Sequence, residues 1–463
     1  MNKILQFFRH VLIPAGDPTI LETIGFYISL VVGALFTLFY LYQFFYLFVA
    51  LVKKPRSYPV TDQTKRYAAI IAARNEEKVL PELLKSIAGQ TYPADRIDVY
   101  VVADNCTDKT AEVARALGAR VYERQNKEKV GKGYALQFLF NRIADDVGIR
   151  TYDAYMVFDA DNVLRANYIE EMDKAYCAGN KVLTSYRNSK NYGANWVSAG
   201  YALWFMRESR HLNNPRSLLR TSAAISGTGF LVDAAIIERN GGWKHFLLTE
   251  DIEFTIDCVL HGEHVGYCHG AELFDEQPET FRQSWRQRKR WAKGFFQVFR
   301  HYGKALLKNA VRFYWSCYDM AMNIMPAFML STVQLVSITG LLIANLIVFG
   351  SFSMTLLRCL GAFVGFGYGV LLFFGAAALI TEWRHIHCNK LKAILLLFTF
   401  PIFMLSYLPI SISALFSRVE WKPIEHKHVM KTEDIERQST AKLTDTILPS
   451  EKAEDEKEHH EQQ

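Results

Sequence analysis

Cysteine is scarce in this 463-residue sequence, with seven residues at Cys106, Cys177, Cys258, Cys268, Cys317, Cys359 and Cys388. No two form a CxxC pair and none falls at zinc-ligand spacing, so a zinc ribbon is excluded and the thiols read as buried groups in a reducing compartment. Excess charge is lacking too, because 53 Lys and Arg against 47 Asp and Glu leave a formal +6. So small a surplus excludes nucleic acid as the natural partner. The basic residues crowd between Arg282 and Lys308, where anionic lipid or a phosphorylated ligand accounts for them. The apolar segments show no inverted repeat, which removes the usual basis for a transporter. From Glu22 to Val52 there is no Lys, Arg or Asp. That run is roughly thirty residues, where about twenty cross a bilayer. A secretory signal would be shorter and nearer the N-terminus, so the run reads as a retained anchor.

What is present is hydrophobic: 50% apolar and 14% aromatic residues, gathered into the first run and three later stretches at 321–349, 355–381 and 392–417. These mark an integral, multi-pass protein of the cell membrane. Lys53, Lys54, Arg56, Lys65 and Arg66 follow the first run, against Lys3 and Arg9 before it, so the large middle region is expected in the cytoplasm. The stretches at 321–349 and 355–381 read as two clean spans. The third, 392–417, holds Pro401 and Pro409 and is followed by Arg418, Lys422, Lys427 and Lys431. Both a simple span and a re-entrant segment fit it. The expected organisation is an N-terminal segment 1–21, a transmembrane helix 22–53, a cytoplasmic α/β domain 60–280, interfacial amphipathic helices 281–312, a membrane region 318–418 and a disordered polar tail 431–463.

In the middle region apolar runs alternate with helical patterns. Tyr67–Ala73 breaks into Arg74, Asn75 and Glu76, Ile97–Ala103 breaks at Asp104, and Ala154–Phe158 runs into Asp159-Ala160-Asp161. Strand, helix, strand in this order predicts a mostly parallel sheet covered on both faces. Ligands of such sheets bind at the carboxyl ends of the strands, where these polar groups stand. Asp159 and Asp161 suit a hard cation such as Mg2+ or Mn2+ shared with a diphosphate, although two solvated loop acids would look the same. Lys132, between Gly131 and Gly133, is a candidate phosphate contact or a lysine in a turn. Asp251 in Thr249-Glu250-Asp251 is either an acid favoured at a helix N-terminus or a general base for a sugar acceptor.

Gln287-Arg288-Lys289-Arg290-Trp291 stands just before the later apolar stretches. On a helix Gln287, Arg290 and Trp291 share one face. An amide, a guanidinium and an indole suit an anionic, ring-shaped ligand, and equally the surface of a bilayer.

Taken in order, Asn75-Glu76, Asp104, Asp159-Ala160-Asp161, Gly227-Thr228-Gly229, Thr249-Glu250-Asp251 and Gln287 to Trp291 resemble the membrane-embedded family-2 glycosyltransferases, which include the synthases of cellulose, chitin, hyaluronan and poly-N-acetylglucosamine. The resemblance covers about 67–308. It implies a GT-A nucleotide-sugar domain joined to transmembrane helices and an inverting transfer from a UDP-sugar such as UDP-N-acetylglucosamine or UDP-glucose. Asn75, Glu76 and Asp104 then line the nucleoside pocket, and Asp159 and Asp161 handle the diphosphate and its Mg2+ or Mn2+. Asp251 is the base, while Gly227, Thr228, Gly229 and Glu250 lie near the acceptor. Gln287, Arg290 and Trp291 form the QxxRW motif of processive members, and Lys132 matches a basic position before the Asp pair. The implied product is a β-linked polysaccharide, with a lipid-linked acceptor taking one sugar as the alternative and a non-catalytic export subunit as the rival class. An accessory membrane subunit is a further implied partner. Two departures stand out: Ala103 precedes Asp104 where relatives carry a second acid, and Ala73-Arg74 replace a proline and a hydrophobic residue.

Overall fold

The computed structural model describes residues 18–417. Lys3, Arg9 and the basic and polar stretches beyond Arg418, on which the expectations for the N-terminal segment and the tail rest, lie outside the described residues.

Helix α1 (Ile20–Val52) starts at a capping box, in which Thr19 N–H donates to Glu22 at 2.9 Å and Glu22 N–H donates to Thr19 Oγ1 at 3.3 Å. The chain then builds β1 (Tyr67–Ala73), α2 (Leu80–Ala88), β2 (Ile97–Asp104), α3 (Thr110–Ala116), β3 (Arg120–Arg124), α4 (Lys132–Asp146), β4 (Ala154–Asp159), β5 (Val163–Leu164), α5 (Tyr168–Cys177), β6 (Val182–Ser189), α6 (Trp196–Arg207), α7 (Asn214–Leu218), β7 (Phe230–Asp233), α8 (Ala234–Arg239), α9 (Glu250–Leu260) and β8 (Val265–Asp275). One eight-stranded sheet results, in the order β3-β2-β1-β4-β7-β6-β8-β5. Its first four neighbours are parallel, and β7 enters antiparallel between β4 and β6. Helices cover both faces, so β1 and β4 are apolar along nearly their whole length rather than alternating.

The membrane-facing part follows as α10 (Phe281–Val311), α11 (Trp315–Ile324), α12 (Pro326–Phe349), α13 (Met354–Thr381), α14 (Lys390–Leu397), α15 (Phe400–Leu405) and α16 (Tyr407–Phe416). Helices α1, α12 and α13 are each long and apolar enough to cross a bilayer. The span expected from 321 starts instead at Pro326. The backbone turns at Met325, and a proline at the start of the next helix has no intrahelical hydrogen bond to lose. The preceding residues belong to α11, which is held to the sheet domain by a fully buried ion pair. Arg216 grips Asp319 at 2.7 and 2.8 Å, and the Tyr42 and Tyr46 hydroxyls of α1 each donate to the same carboxylate at 2.9 Å.

The segment from α14 to α16 is bent by 42°. Tyr192 donates to Ala393 O at 3.5 Å, Arg288 to Phe403 O at 2.7 Å and Lys293 to Ala414 O at 3.2 Å. Both ends and the bend therefore lie against the sheet domain and α10. A bent helix pair of this kind is either a broken span or a re-entrant segment, so both expectations for 392–417 stand. The turn after α13 docks on the sheet as well, with Tyr186 donating to Glu382 at 2.7 Å and Glu272 meeting His385 at 2.9 Å.

Candidate active site

A cavity of about 1110 Å³ opens where the carboxyl ends of β1, β2 and β4 face α10. Glu76, Asp104, Lys132, Asp159, Asp161 and Gly227 line its sheet side, and Glu250, Asp251, Gln287, Arg290 and Trp291 line the side closed by α9 and α10. Most of the residues singled out by sequence thus face one space. Three do not. Asn75 lies outside the lining, in the left-handed region at φ 58°, where its side chain accepts from Thr107 N–H at 2.8 Å and ties the β1 turn to the β2 turn. Thr228 supports the site from behind, its hydroxyl accepting from Asp159 N–H at 2.8 Å. Gly229 packs beneath it against Leu273 and Ser185.

The charges are arranged around Gly227. A methyl on that glycine would stand 3.9 Å from each of Asp159 Oδ2, Asp251 Oδ2 and Arg187 Nη1, so two carboxylates and a guanidinium converge on one point. Lys132 pairs with Asp159 and donates to Gly227 O at 2.7 Å. Asp104 is paired with Arg124, its register partner on β3. Sequence reasoning missed Arg187, which is paired with Asp275 and donates to Ser226 O at 2.8 Å. The signal existed, since Asp275 ends β8 as Asp104 and Asp159 end their strands. Burial pushes the Asp275 carboxyl up to about 6 against the pull of Arg187, and the charges of Asp161 and Asp159 add to the rise.

Glu250 and Asp251 open α9 in a buried setting. Burial and then the charge of Asp251 push Glu250 up to about 7, with Lys132 and Arg290 opposing. Burial also raises Asp251, held back by its helix N–H groups, Lys132 and Arg290. What brings α10 this close is Gly294: a Cβ there would lie 2.5 Å from Thr249 Cγ2 and 2.9 Å from Thr249 N, so only glycine lets the helix cross directly over the start of α9. Trp291 stands edge-on to Tyr201 and Phe205 of α6, at 5.8 and 6.3 Å between ring centres. Arg288, one turn before Trp291 and over the same Tyr201 ring, is fully buried and caps α15 through Phe403 O and Ser406.

Among the described residues no three His, Cys, Asp or Glu side chains are clustered as a closed metal cage. The donor set nevertheless fits a divalent cation of the magnesium class, which uses one or two carboxylates and completes its shell with substrate phosphates. Asp161 and Asp159 supply such carboxylates, and both line the cavity floor beside Gly227.

An α/β sheet with acids at its strand ends and a basic helix across them defines a GT-A nucleotide-sugar domain. The family model described as "Glycosyltransferase like family 2" matches residues 65–294. Over that span the chain belongs to the family-2 glycosyltransferases. It is 30% identical over 246 residues to a probable glycosyltransferase, YdaM, of Bacillus subtilis, covering 50% of this chain and 55% of the relative. It is 26% identical over 273 residues to a beta-monoglucosyldiacylglycerol synthase of Nostoc sp., covering 57% and 56%. The chain thus matches about half the length of these curated relatives. Among solved structures, the mannosyltransferase PcManGT from Pyrobaculum calidifontis, in complex with GDP-Man and Mn2+, shares the fold with a TM-score of 0.53 at 17% identity, covering 86% of this chain and 99% of that one.

Proposed function

We propose that the chain transfers a sugar from a nucleotide sugar to an acceptor hydroxyl at the membrane surface, in one inverting displacement. The convergence of Asp159, Asp251 and Arg187 on a single point beside Lys132 carries this reading. Asp251 takes the acceptor proton as the hydroxyl oxygen bonds to the anomeric carbon, and the bond to the diphosphate breaks on the opposite side. Burial raises the affinity of Asp251 for a proton, which suits a group that must take one. Lys132 and Arg290 stabilise the charge that develops on the departing diphosphate, a role that a water-poor cavity strengthens. Asp161, with Asp159, would hold a Mg2+ or Mn2+ ion, which neutralises diphosphate charge when bound. Glu76 and Asp104 face the nucleoside, and Gln287 and Trp291 position the sugar on the membrane side. Uridine is the nucleotide that the motif resemblance favours.

The catalytic domain sits at the membrane side that carries Lys53 and Lys54, with α1, α12 and α13 as spans and α14–α16 packed against α10 and the sheet domain. Two acceptor classes suit such a site: a growing glycan, as the QxxRW motif suggests, and a membrane lipid that takes one sugar. The Nostoc relative's printed name, a synthase of a glucosylated diacylglycerol, favours the second. The test is purified full-length protein in nanodiscs with a panel of nucleotide sugars, following nucleotide release and product size. Release that depends on donor, acceptor and divalent cation supports the reading; no release with any donor removes it.

A further inference from the structure

The active-site cavity does not end at the polar residues. It runs on between the membrane helices, lined by Phe36 and Leu41 of α1, Phe328 of α12, Phe366 and Val370 of α13 and Leu408 of α16. Leu41 and Phe366 are 60% and 71% exposed, so this lining is uncovered apolar surface at membrane depth. The far end is closed. On α1 the lining stops at Gly33, and beyond it Gly25 lies so close to α13 that a Cβ would stand 2.2 Å from Leu356 Cδ2. Gln334 donates to Ser29 at 2.7 Å and Ser353 to Glu22 at 2.6 Å in the same sealed layer. A sugar polymer leaving through the bilayer needs a continuous wet path, which this dead end does not supply. Acyl chains need only a dry pocket.

At the junction of the polar and apolar halves sits Arg207, the last residue of α6. Its Nη2 donates to Gln43 of α1 at 2.6 Å, and its guanidinium lies 4.7 Å from the centre of the Phe374 ring of α13. Its Nε is buried without a hydrogen-bond partner, and no carboxylate forms an ion pair with it among the described residues. Both Arg207 and Gln43 line the cavity. Beside Gln43 on α1, Tyr42 and Tyr46 cluster with Tyr318 and the exposed Trp315, and an exposed Trp of this kind suits the headgroup level of a bilayer. The next residue, Glu208, opens a single π-helical turn, Glu208–Asn213, an irregularity that recurs at functional sites. The guanidinium is half-buried, and its neighbour Glu208 supports its charge without a direct ion pair, so a phosphate brought by a ligand would gain a charge-assisted partner there.

Resting on the glycosyl-transfer reading above, we propose that the acceptor is a membrane phospholipid. Its acyl chains occupy the apolar half of the cavity, its phosphate meets Arg207, and a headgroup hydroxyl reaches Asp251. The reaction balances as before: the hydroxyl oxygen bonds to the anomeric carbon, its proton passes to Asp251, and the nucleoside diphosphate leaves with the electron pair of the broken bond. The product is a glycosylated phospholipid that stays in the leaflet from which its acceptor came.

The experiment gives the full-length protein in nanodiscs a labelled donor and four acceptors: phosphatidylglycerol, diacylglycerol, glycerol 3-phosphate and a β-linked oligosaccharide. A labelled glycolipid should form from phosphatidylglycerol and not from soluble glycerol 3-phosphate, which has the phosphate without the tails. Arg207→Gln should lower that transfer by at least about tenfold, the loss of one charge-assisted hydrogen bond, with donor KM unchanged. Gly33→Phe is the second variant. Nothing lies within 4 Å of a Cβ at Gly33, so the ring fills the cavity instead of displacing the helix. It should raise KM for long-chain phosphatidylglycerol and leave donor KM alone. Transfer to the oligosaccharide with no glycolipid would overturn the phospholipid assignment and leave glycosyl transfer standing. Equal use of diacylglycerol, unaffected by Arg207→Gln, overturns the phosphate contact. Absence of nucleotide release with every pair overturns the underlying reading as well.

Discussion

The two halves of the cavity treat charge in opposite ways. On the sheet side Asp104, Asp159 and Asp275 each have a cationic partner, in Arg124, Lys132 and Arg187, so the groups are held before any ligand arrives. On the membrane side the walls are aromatic and aliphatic, and the guanidinium of Arg207 has a glutamine and a ring for company. A site organised for chemistry fixes its charges internally. A site organised to choose a ligand leaves one unmatched.

The largest effect expected is on turnover. Asp251→Asn should reduce kcat by about 10² to 10⁴-fold, the range for a lost general base, while nucleotide binding measured by calorimetry stays near normal. Near-normal turnover in the purified variant would take Asp251 out of the base role and break the contrast at its centre. Next comes the joint between the halves. Asp319→Ala strands a buried Arg216 and two tyrosine hydroxyls, and should lower stability by about 3 to 5 kcal/mol, read as a fall in melting temperature in detergent. A melting curve like wild type would mean that α1 and α11 are held to the sheet domain by packing alone. Gly294→Ala forces α10 away from Thr249, so kcat should drop while the fold survives; unchanged kcat would show that the crossing is not needed for alignment.

The smallest effects are in pH. With Glu250 pushed up to about 7 and Asp251 raised beside it, kcat/KM should climb as pH rises through the apparent pKa of the pair. Removing the opposing cation in Lys132→Met should move that limb to higher pH, and a shift to lower pH would contradict the arrangement. Stability follows the reverse sign. Between the ordinary carboxyl value of 4.5 and about 7 the unfolded chain ionises Glu250 while the folded chain keeps it protonated. The folded state therefore loses stability as pH rises through that window, and the loss is complete above it. Glu250→Gln should flatten the dependence of melting temperature on pH over this interval.

Much of the sheet domain was legible because its signals are local. Tyr67–Ala73 and Ala154–Phe158 are apolar on both faces, which only a covered parallel sheet requires, and their polar breaks fall where such sheets bind ligands. Asp159, Asp161, Asp251, Gln287, Arg290 and Trp291 could be named before any contact was known. Arg187 with Asp275, and Arg207 with Gln43, could not, because each pair is brought together from opposite ends of the domain or from separate helices. Asn75 shows the converse. Its place in a motif pointed at the ligand, whereas its left-handed backbone and its bond to Thr107 give it a task in joining two turns.

By itself the sequence determined an N-terminal helix long and apolar enough to cross a membrane, the covered α/β sheet and the acids and cations at its strand ends, since hydrophobic period and strand-end polarity follow from residue type and spacing alone. The tertiary structure decided that the segment 390–416 packs against α10 and the sheet domain, that the cavity lining on α1 reaches Gly33, and that Arg207 meets Gln43 and Phe374. Those outcomes depend on which distant surfaces meet, and no local pattern of residues encodes that.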